Sequence, residues 1–353
     1  MKRLLFILPV LIVGCSVEKS ENMIFEEVEV ELASLLISVE SSSGIAFPSL
    51  IKSVSDGILL NDYGLGKIHK FDLDGNKQFS FGNTGDGPGE FRAVYDFWEF
   101  DDYYMVYDYE SKKFIKYDFE GIWIEDVLIE FEEFSTLRPV RFEAITPQRF
   151  AIPTRGLNGS LFSIVDVETG SIHYFGDALG EYEYSSTPQQ YRQAISSRRV
   201  PAHELNMVRL RRNQTGIFLI QQSTAILEKY TYSGGVAWEK RLKIPAQDGL
   251  FEYFFKANLE RLNRELPARY AFSYIQEAHA TDEGVAILLY VREDQPLTVV
   301  WVPNDGESMT VVTFQGIENQ SMQPQDFTIS ANESYIYVLN MLDGEIYRAM
   351  WPL

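Results

Sequence analysis

Asp56-Gly57-Ile58-Leu59-Leu60-Asn61-Asp62 returns 46 positions later as Asp102-Tyr103-Tyr104-Met105-Val106-Tyr107-Asp108, and nothing else in the 353-residue chain restricts its fold as much. The register holds downstream without a gap: Lys67 falls on Lys113, Ile68 on Phe114, Phe71 on Tyr117, Asp72 on Asp118 and Gly75 on Gly121. A further shift of 113 residues carries Phe114, Tyr117 and Gly121 onto Leu227, Tyr230 and Gly234, behind the apolar run Gly216 to Ile220. Looser copies follow the same plan at Phe150 to Ile152 with Phe162 to Gly170, at Val285 to Tyr290 with Val299 to Val302, and at Tyr335 to Leu339 with Glu345 to Met350. That makes six. Each reads as strand, short turn, strand, turn at Asp-Gly or Gly-Gly, strand. A sheet so small cannot bury both faces alone, so the copies must stack on one another.

Stacking around an axis gives an all-β, six-bladed β-propeller with four-stranded antiparallel blades, and six units of about 50 residues fit the length. The 20 Tyr and 24 Phe agree, because flat rings pack well on a pleated, half-buried surface. Glu27 to Leu32 alternates acidic and apolar residues as a half-exposed strand should, and it lies outside the six copies. The last copy shows only three strands before Leu353, so this N-terminal strand is expected to close the last blade and remove an open edge. Two stretches break the pattern. From Asp248, read as an N-cap, to Pro267, the residues Phe251, Phe255, Leu259, Leu262 and Leu266 recur at helical spacing, which predicts one amphipathic helix inserted between blades four and five. Packing on the ring is its expected role, a docking surface the alternative. Tyr182 to Asn213 is polar, carries Pro188 and Pro201, and reads as a long connection.

The N-terminus is an address. Lys2 and Arg3 precede an apolar run, Leu4 to Val13, about half of what crosses a bilayer as a helix. It ends Ile12-Val13-Gly14-Cys15-Ser16, which resembles the lipobox of bacterial lipoproteins. That resemblance implies a signal peptide over residues 1–14, a lipidated Cys15 with a tether over 15–23, and a propeller over 24–353. The absence of an aspartate after Cys15 points, by the same resemblance, to the outer membrane, facing either periplasm or exterior. Cys15 is the only cysteine, so neither an intrachain disulfide nor a thiolate metal cluster can form. The formal charge is −20, and losing Lys2 and Arg3 makes it −22, a field that repels nucleic acid.

Gly82-Asn83-Thr84-Gly85-Asp86-Gly87-Pro88-Gly89-Glu90-Phe91, with the Tyr103 to Gly121 block after it, resembles the six-bladed propeller lipoproteins of Bacteroidetes, relatives of the NHL-repeat propellers. The family implies the fold and an envelope location, and no settled activity. Gln221 departs from the pattern where blade four should carry a strand-end Asp. Within the glycine segment, Gly82, Gly85, Gly87 and Gly89 free the backbone to expose N–H groups, as an anion nest requires. The lysine and helix of a phosphate loop are missing, so the segment with Pro88 and Glu90 reads as a tight crossing between blades, with ligand contact the alternative.

Asp62 and Asp108 end equivalent strands. Carboxylates repeated around a ring can line an axial cation site for calcium or zinc, although Asp more routinely braces its own turn. Asp72-Leu73-Asp74-Gly75 likewise reads as a turn. The four histidines are too dispersed for a sequence-local zinc site, and there is no G-x-S-x-G elbow. One stretch opposes the acidic background: Arg192, Arg198, Arg199, Arg209, Arg211 and Arg212 stand against a single acid, Glu204. Arginine reads carboxylates and phosphates bidentately, so Arg198, Arg199, Arg209 and Arg211 are the first candidates for a ligand site; ion pairs inside the acidic body are the competing account. These features favour a lipid-anchored binding or scaffold module for an envelope protein, peptide or glycan, with no cofactor and no catalytic chemistry evident. The alternative is a metal-dependent lactonase or hydrolase holding its ion near Asp62 and Asp108.

Overall fold

The computed structural model describes residues 24–31, 34–38, 44–128, 141–180, 186–242, 249–268, 271–290, 296–315, 324–340 and 344–353. Six antiparallel sheets follow one another along the chain. Blade one is Pro48–Val54, Gly57–Asp62, Lys67–Phe71 and Lys77–Phe81; blade two is Val94–Glu99, Tyr104–Asp108, Lys113–Tyr117 and Trp123–Leu128. Blades three and four start at Glu143–Thr146 and Val208–Asn213, and blades five and six at Ile275–Ala280 and Pro324–Ile329. The aligned copies are therefore the second and third strands of each blade. Second strands such as Gly57–Asp62, Gly216–Gln221 and Gly284–Leu289 are buried at every residue, because a neighbouring blade covers each face. Hence they read as unbroken apolar runs rather than alternations.

The core is not one mass. Among the described residues it comprises six seams, one between each pair of adjacent blades, and a seventh cluster around the inserted helix. Phe81 of blade one lies between Tyr104 and Tyr117 of blade two, its ring centroid 4.7 Å from that of Tyr117. The seam between blades six and one joins Tyr337, Leu339 and Ile346 to Ile51, Ile58 and Phe71, so the ring is shut. A latch reinforces it: the Asp72 to Gly75 turn, held by the Asp72 carboxylate accepting from the Asn76 N–H at 2.8 Å, offers the Leu73 carbonyl to Arg348 (2.6 Å) and to the Tyr337 hydroxyl (3.1 Å).

The N-terminal segment does close the last blade, but with other residues than the alternation indicates. Ser34–Ile37 pairs antiparallel with Glu345–Met350, placing Leu35 opposite Tyr347. The alternating strand, Ile24–Glu31, instead lies parallel to Ser308–Gln315 as a fifth strand on the rim of blade five. Its glutamates are exposed and Val28 and Val30 half-buried, a pattern that suits any outer rim, whereas four residues at Ser34–Ile37 are too short to show a period.

The inserted helix spans Leu250–Asn263 between blades four and five, and its N-cap is Gly249 in the left-handed region, φ 78°. Asp248, read as the cap, lies outside the described residues, as do Cys15 and the signal segment. Leu250, Phe254, Phe255 and Leu262 pack on Ile195 and Phe272, and Phe251 stacks on Tyr274 at 4.1 Å. Leu266 lies beyond the helix end and is exposed. The stretch read as a polar connection is a correction: it holds a helix at Pro188–Ser196, a short one at Ala202–Leu205 and the inner strand of blade four. Its sign was in the sequence, since Thr187 and Gln190 form a reciprocal capping box with Pro188 at the first helical position. No helix among the described residues is long and apolar enough to cross a membrane.

Candidate axial site

Each blade sends its first strand to the axis. Since strands alternate in direction, every inner strand begins at the ring face that carries the blade-to-blade crossings and ends at the opposite face, in the turn to its second strand. Towards that turn face the inner strands surround a funnel of about 570 Å³, a volume suited to a small ligand, to which blade three contributes only the start of its strand, Arg141 and Glu143. Lys52, Arg212, His279 and Thr281 line its walls, with Glu99 and Asp282 at the rim. Arg141, Glu143, Arg211 and Asp326 form its floor.

The floor is an ion lattice. Arg211 donates to Glu143 Oε1 at 2.6 Å, to Glu277 and to the Ala278 and Leu210 carbonyls, binding blades three, four and five together. Arg141 pairs with Glu277 and lies 3.6 Å from Asp326, whose carboxylate accepts from the Ile51 N–H (3.1 Å) and the Phe327 N–H (3.0 Å). Lys52 pairs with Asp96 and sits 5.0 Å from the centre of the Trp98 ring. Arg209 approaches Glu277 only to 3.8 Å.

These contacts shift the titrating groups in opposite directions. Burial works against the Glu277 charge, but Arg141, Arg211 and Arg209 outweigh it and hold the carboxyl well below its usual range. For Asp326 burial wins over Arg141 and, with Glu277 nearby, lifts the carboxyl to about 6. Burial first, then Arg211 and Lys52, push His279 down to about 3, so its ring is neutral beside the Thr328 hydroxyl at 3.3 Å. A buried lattice of this kind fixes geometry more than it adds stability, because desolvation consumes much of the attraction.

Of the four arginines singled out, the structure brings Arg209 and Arg211 to the axis, where Arg211 takes part in internal ion pairs, and leaves the other two elsewhere. Arg198 is 72 % exposed and pairs with Glu252 at 3.0 Å on the inserted helix. Arg199 lines a separate cavity of about 500 Å³ with Ser186, Gln190 and Leu205, beneath the Pro188–Ser196 helix. Lys52, Arg141, Glu143, Glu277, His279 and Asp326 were not anticipated. The available signal was the charged or histidine side chain recurring on inner strands, as in Glu277-Ala278-His279-Ala280.

Asp62 and Asp108 stand at the far ends of second strands, not on the funnel wall. Asp62 accepts from the N–H groups of Ala46 (2.7 Å), Phe47 (2.9 Å) and Leu65 (3.1 Å), with His69 Nε2 at 3.3 Å. Burial opposes its charge, yet these backbone bonds hold the carboxyl below its usual value. Asp108 accepts from Arg92 (3.0 Å), Ala93 (3.0 Å) and Glu110 (3.2 Å). Both carboxylates brace the crossing into their own blade. Gln221, at the corresponding place in blade four, donates to Glu228 at 2.7 Å instead. Among the described residues no three His, Cys, Asp or Glu side chains gather as a metal set.

The glycine segment is the crossing from blade one to blade two, and it supplies its own anions. The Gly87 N–H donates to the Glu90 carboxylate at 2.8 Å, and the Gly89 N–H to Asp126 at 3.2 Å, which Lys113 also holds at 2.8 Å. Gly82 and Gly89 adopt φ of 75° and 70°, and a Cβ on Gly82 would come within 2.2 Å of the Phe91 ring, so no other residue fits there. Gly85 and Pro88 complete the turn, in which Gly85 N–H donates to the Phe91 carbonyl at 3.2 Å.

Residues 16–137 match the family model described as DUF5128, a 6-bladed beta-propeller, a span that takes in blades one and two. No curated protein matches the chain. Among solved structures it is similar to a protein of Bacteroides fragilis described as exported, at 12 % identity and TM-score 0.53, covering 92 % of this chain and 98 % of that one. A member of the DUF4221 family from Bacteroides vulgatus aligns at 10 % identity and TM-score 0.50, covering 92 % and 94 %. The structure of U3-55K aligns at 8 % identity and TM-score 0.50, covering 90 % and 98 %. Likeness at such identities concerns the fold alone, and together with the geometry it establishes the chain as a six-bladed β-propeller.

Proposed function

We propose that this propeller is a lipid-anchored binding module of the cell envelope, which takes a polar solute, or the end of a peptide or glycan, into its axial funnel. One observation carries the reading: a funnel of about 570 Å³ receives polar side chains from all six blades, with buried ion pairs across its floor. A preorganised polar cup loses little entropy on binding, which is what a recognition site needs. The lipid anchor is supported by the lipobox-like Ile12 to Ser16 alone.

Glycan and peptide arrays probed with the purified domain and with Ala331→Trp, an exposed position on the funnel lining from which the ring would obstruct the opening, test the binding role. Array ligands retained by wild type and weakened at least tenfold in the variant, at equal melting temperature, are the expected result. Ligands bound equally by both place recognition off the axis and refute it. Radiolabelled palmitate should enter the wild-type protein and not Cys15→Ser.

A further inference from the structure

The opposite end of the axis carries a different imbalance. Tyr95 begins the inner strand of blade two, Arg209 begins that of blade four, and Arg155 follows the second strand of blade three, so all three stand at the crossing face. The Nε atoms of Arg155 and Arg209 are both shielded from solvent and have no hydrogen-bond partner among the described residues. Native proteins rarely leave a buried donor in that state without a reason such as a missing ligand. Arg209 retains 24 % of its side-chain surface, so a solute can reach it.

Charge counting agrees. Glu277, the nearest carboxylate to Arg209, already serves Arg141 and Arg211, and Arg155 pairs with no carboxylate among the described residues. Among the described residues Lys52 pairs with Asp96, and Arg141 and Arg211 share Glu143, Glu277 and Asp326, which leaves Arg155 and Arg209 without a carboxylate of their own. The Tyr95 hydroxyl lies within the field of Arg209, Arg141 and Arg155; burial keeps it a protonated donor.

We propose that Arg155, Arg209 and Tyr95 form an oxyanion site at the crossing-face end of the axis, which takes the carboxylate or phosphate group of a ligand. Two guanidinium forks and a phenol supply planar and tetrahedral oxyanions alike with charge-assisted hydrogen bonds. None of the three residues lines the funnel, so the site is distinct from it.

Calorimetric titration of the intact domain at low ionic strength, with inorganic phosphate in one arm and acetate in the other, tests the proposal. The expected result is one saturable site for at least one probe. Arg155→Gln and Arg209→Gln should each weaken it at least tenfold, whereas Arg198→Gln and the funnel-obstructing Ala331→Trp leave it unchanged. The last variant separates this site from the funnel reading. Arg209→Gln should melt no lower than wild type without anion, since it removes a charge lacking a full complement of partners; should it fail to fold, Arg209→Lys, which keeps charge but loses the fork, and Arg155→Gln carry the same comparison. No saturable binding of either probe, or binding undiminished in both Arg155 and Arg209 variants, overturns the proposal.

Discussion

His279 and Asp326 face the same cluster of arginines, yet they move stability with pH in opposite directions. His279 is neutral in the fold, with its pKa lowered from 6.5 to about 3, so between those values the unfolded chain takes a proton the native state refuses, and stability is lost as pH falls. Asp326 is raised from 3.8 to about 6, so the native state holds a proton there that the unfolded chain releases, and stability is gained as pH falls through 6. The two nearly cancel between about 4 and 6. His279→Gln should therefore gain on wild type as pH drops from 6.5, and Asp326→Asn should lose on it, each by up to about 1.4 kcal/mol per pH unit. Urea unfolding of the three proteins from pH 7.5 to 4.5 checks this; difference curves that stay flat contradict it. None of this was legible beforehand, because a lone histidine or aspartate carries no mark of what lies across the axis from it.

At the scale of elements, what could be read depended on whether an element shows its own period. Gly57–Asp62 and its copies were legible, being buried on both faces and followed by turns that brace themselves through Asp62 and Asp108. Ser34–Ile37 was not, since its role is set by its partner Glu345–Met350 rather than by its four residues. The division of labour in the N-terminal segment is testable. Removing residues through Glu31 strips only the rim strand of blade five, whose half-buried Val28 and Val30 suggest a loss of about 1 to 3 kcal/mol with the ring intact. Removing residues through Ile37 also unpairs blade six and exposes a strand edge, so that protein should self-associate or unfold. Size-exclusion chromatography with thermal melting separates the two; identical behaviour of both truncations would show that Ser34–Ile37 does not close the ring.

For the whole molecule, periodicity predicted blade number, order and the direction of closure, while the site emerged only when six distant strands were brought to one axis. The arginine-rich stretch divided accordingly: Arg209 and Arg211 lie on an inner strand and reach the axis, whereas Arg198 and Arg199 follow a helix and do not. On the proposed reading, the arginines that a chain of net charge −20 gathers along its axis serve a polar or anionic occupant. The most direct measurement is a crystal structure of the protein purified from the cells that make it, at a resolution that shows bound solutes. Density for a solute in the funnel among Lys52, Arg212 and His279 is the predicted result. A vacant funnel, with the native solute or partner seated instead on the outer strands of the blades, would contradict the account.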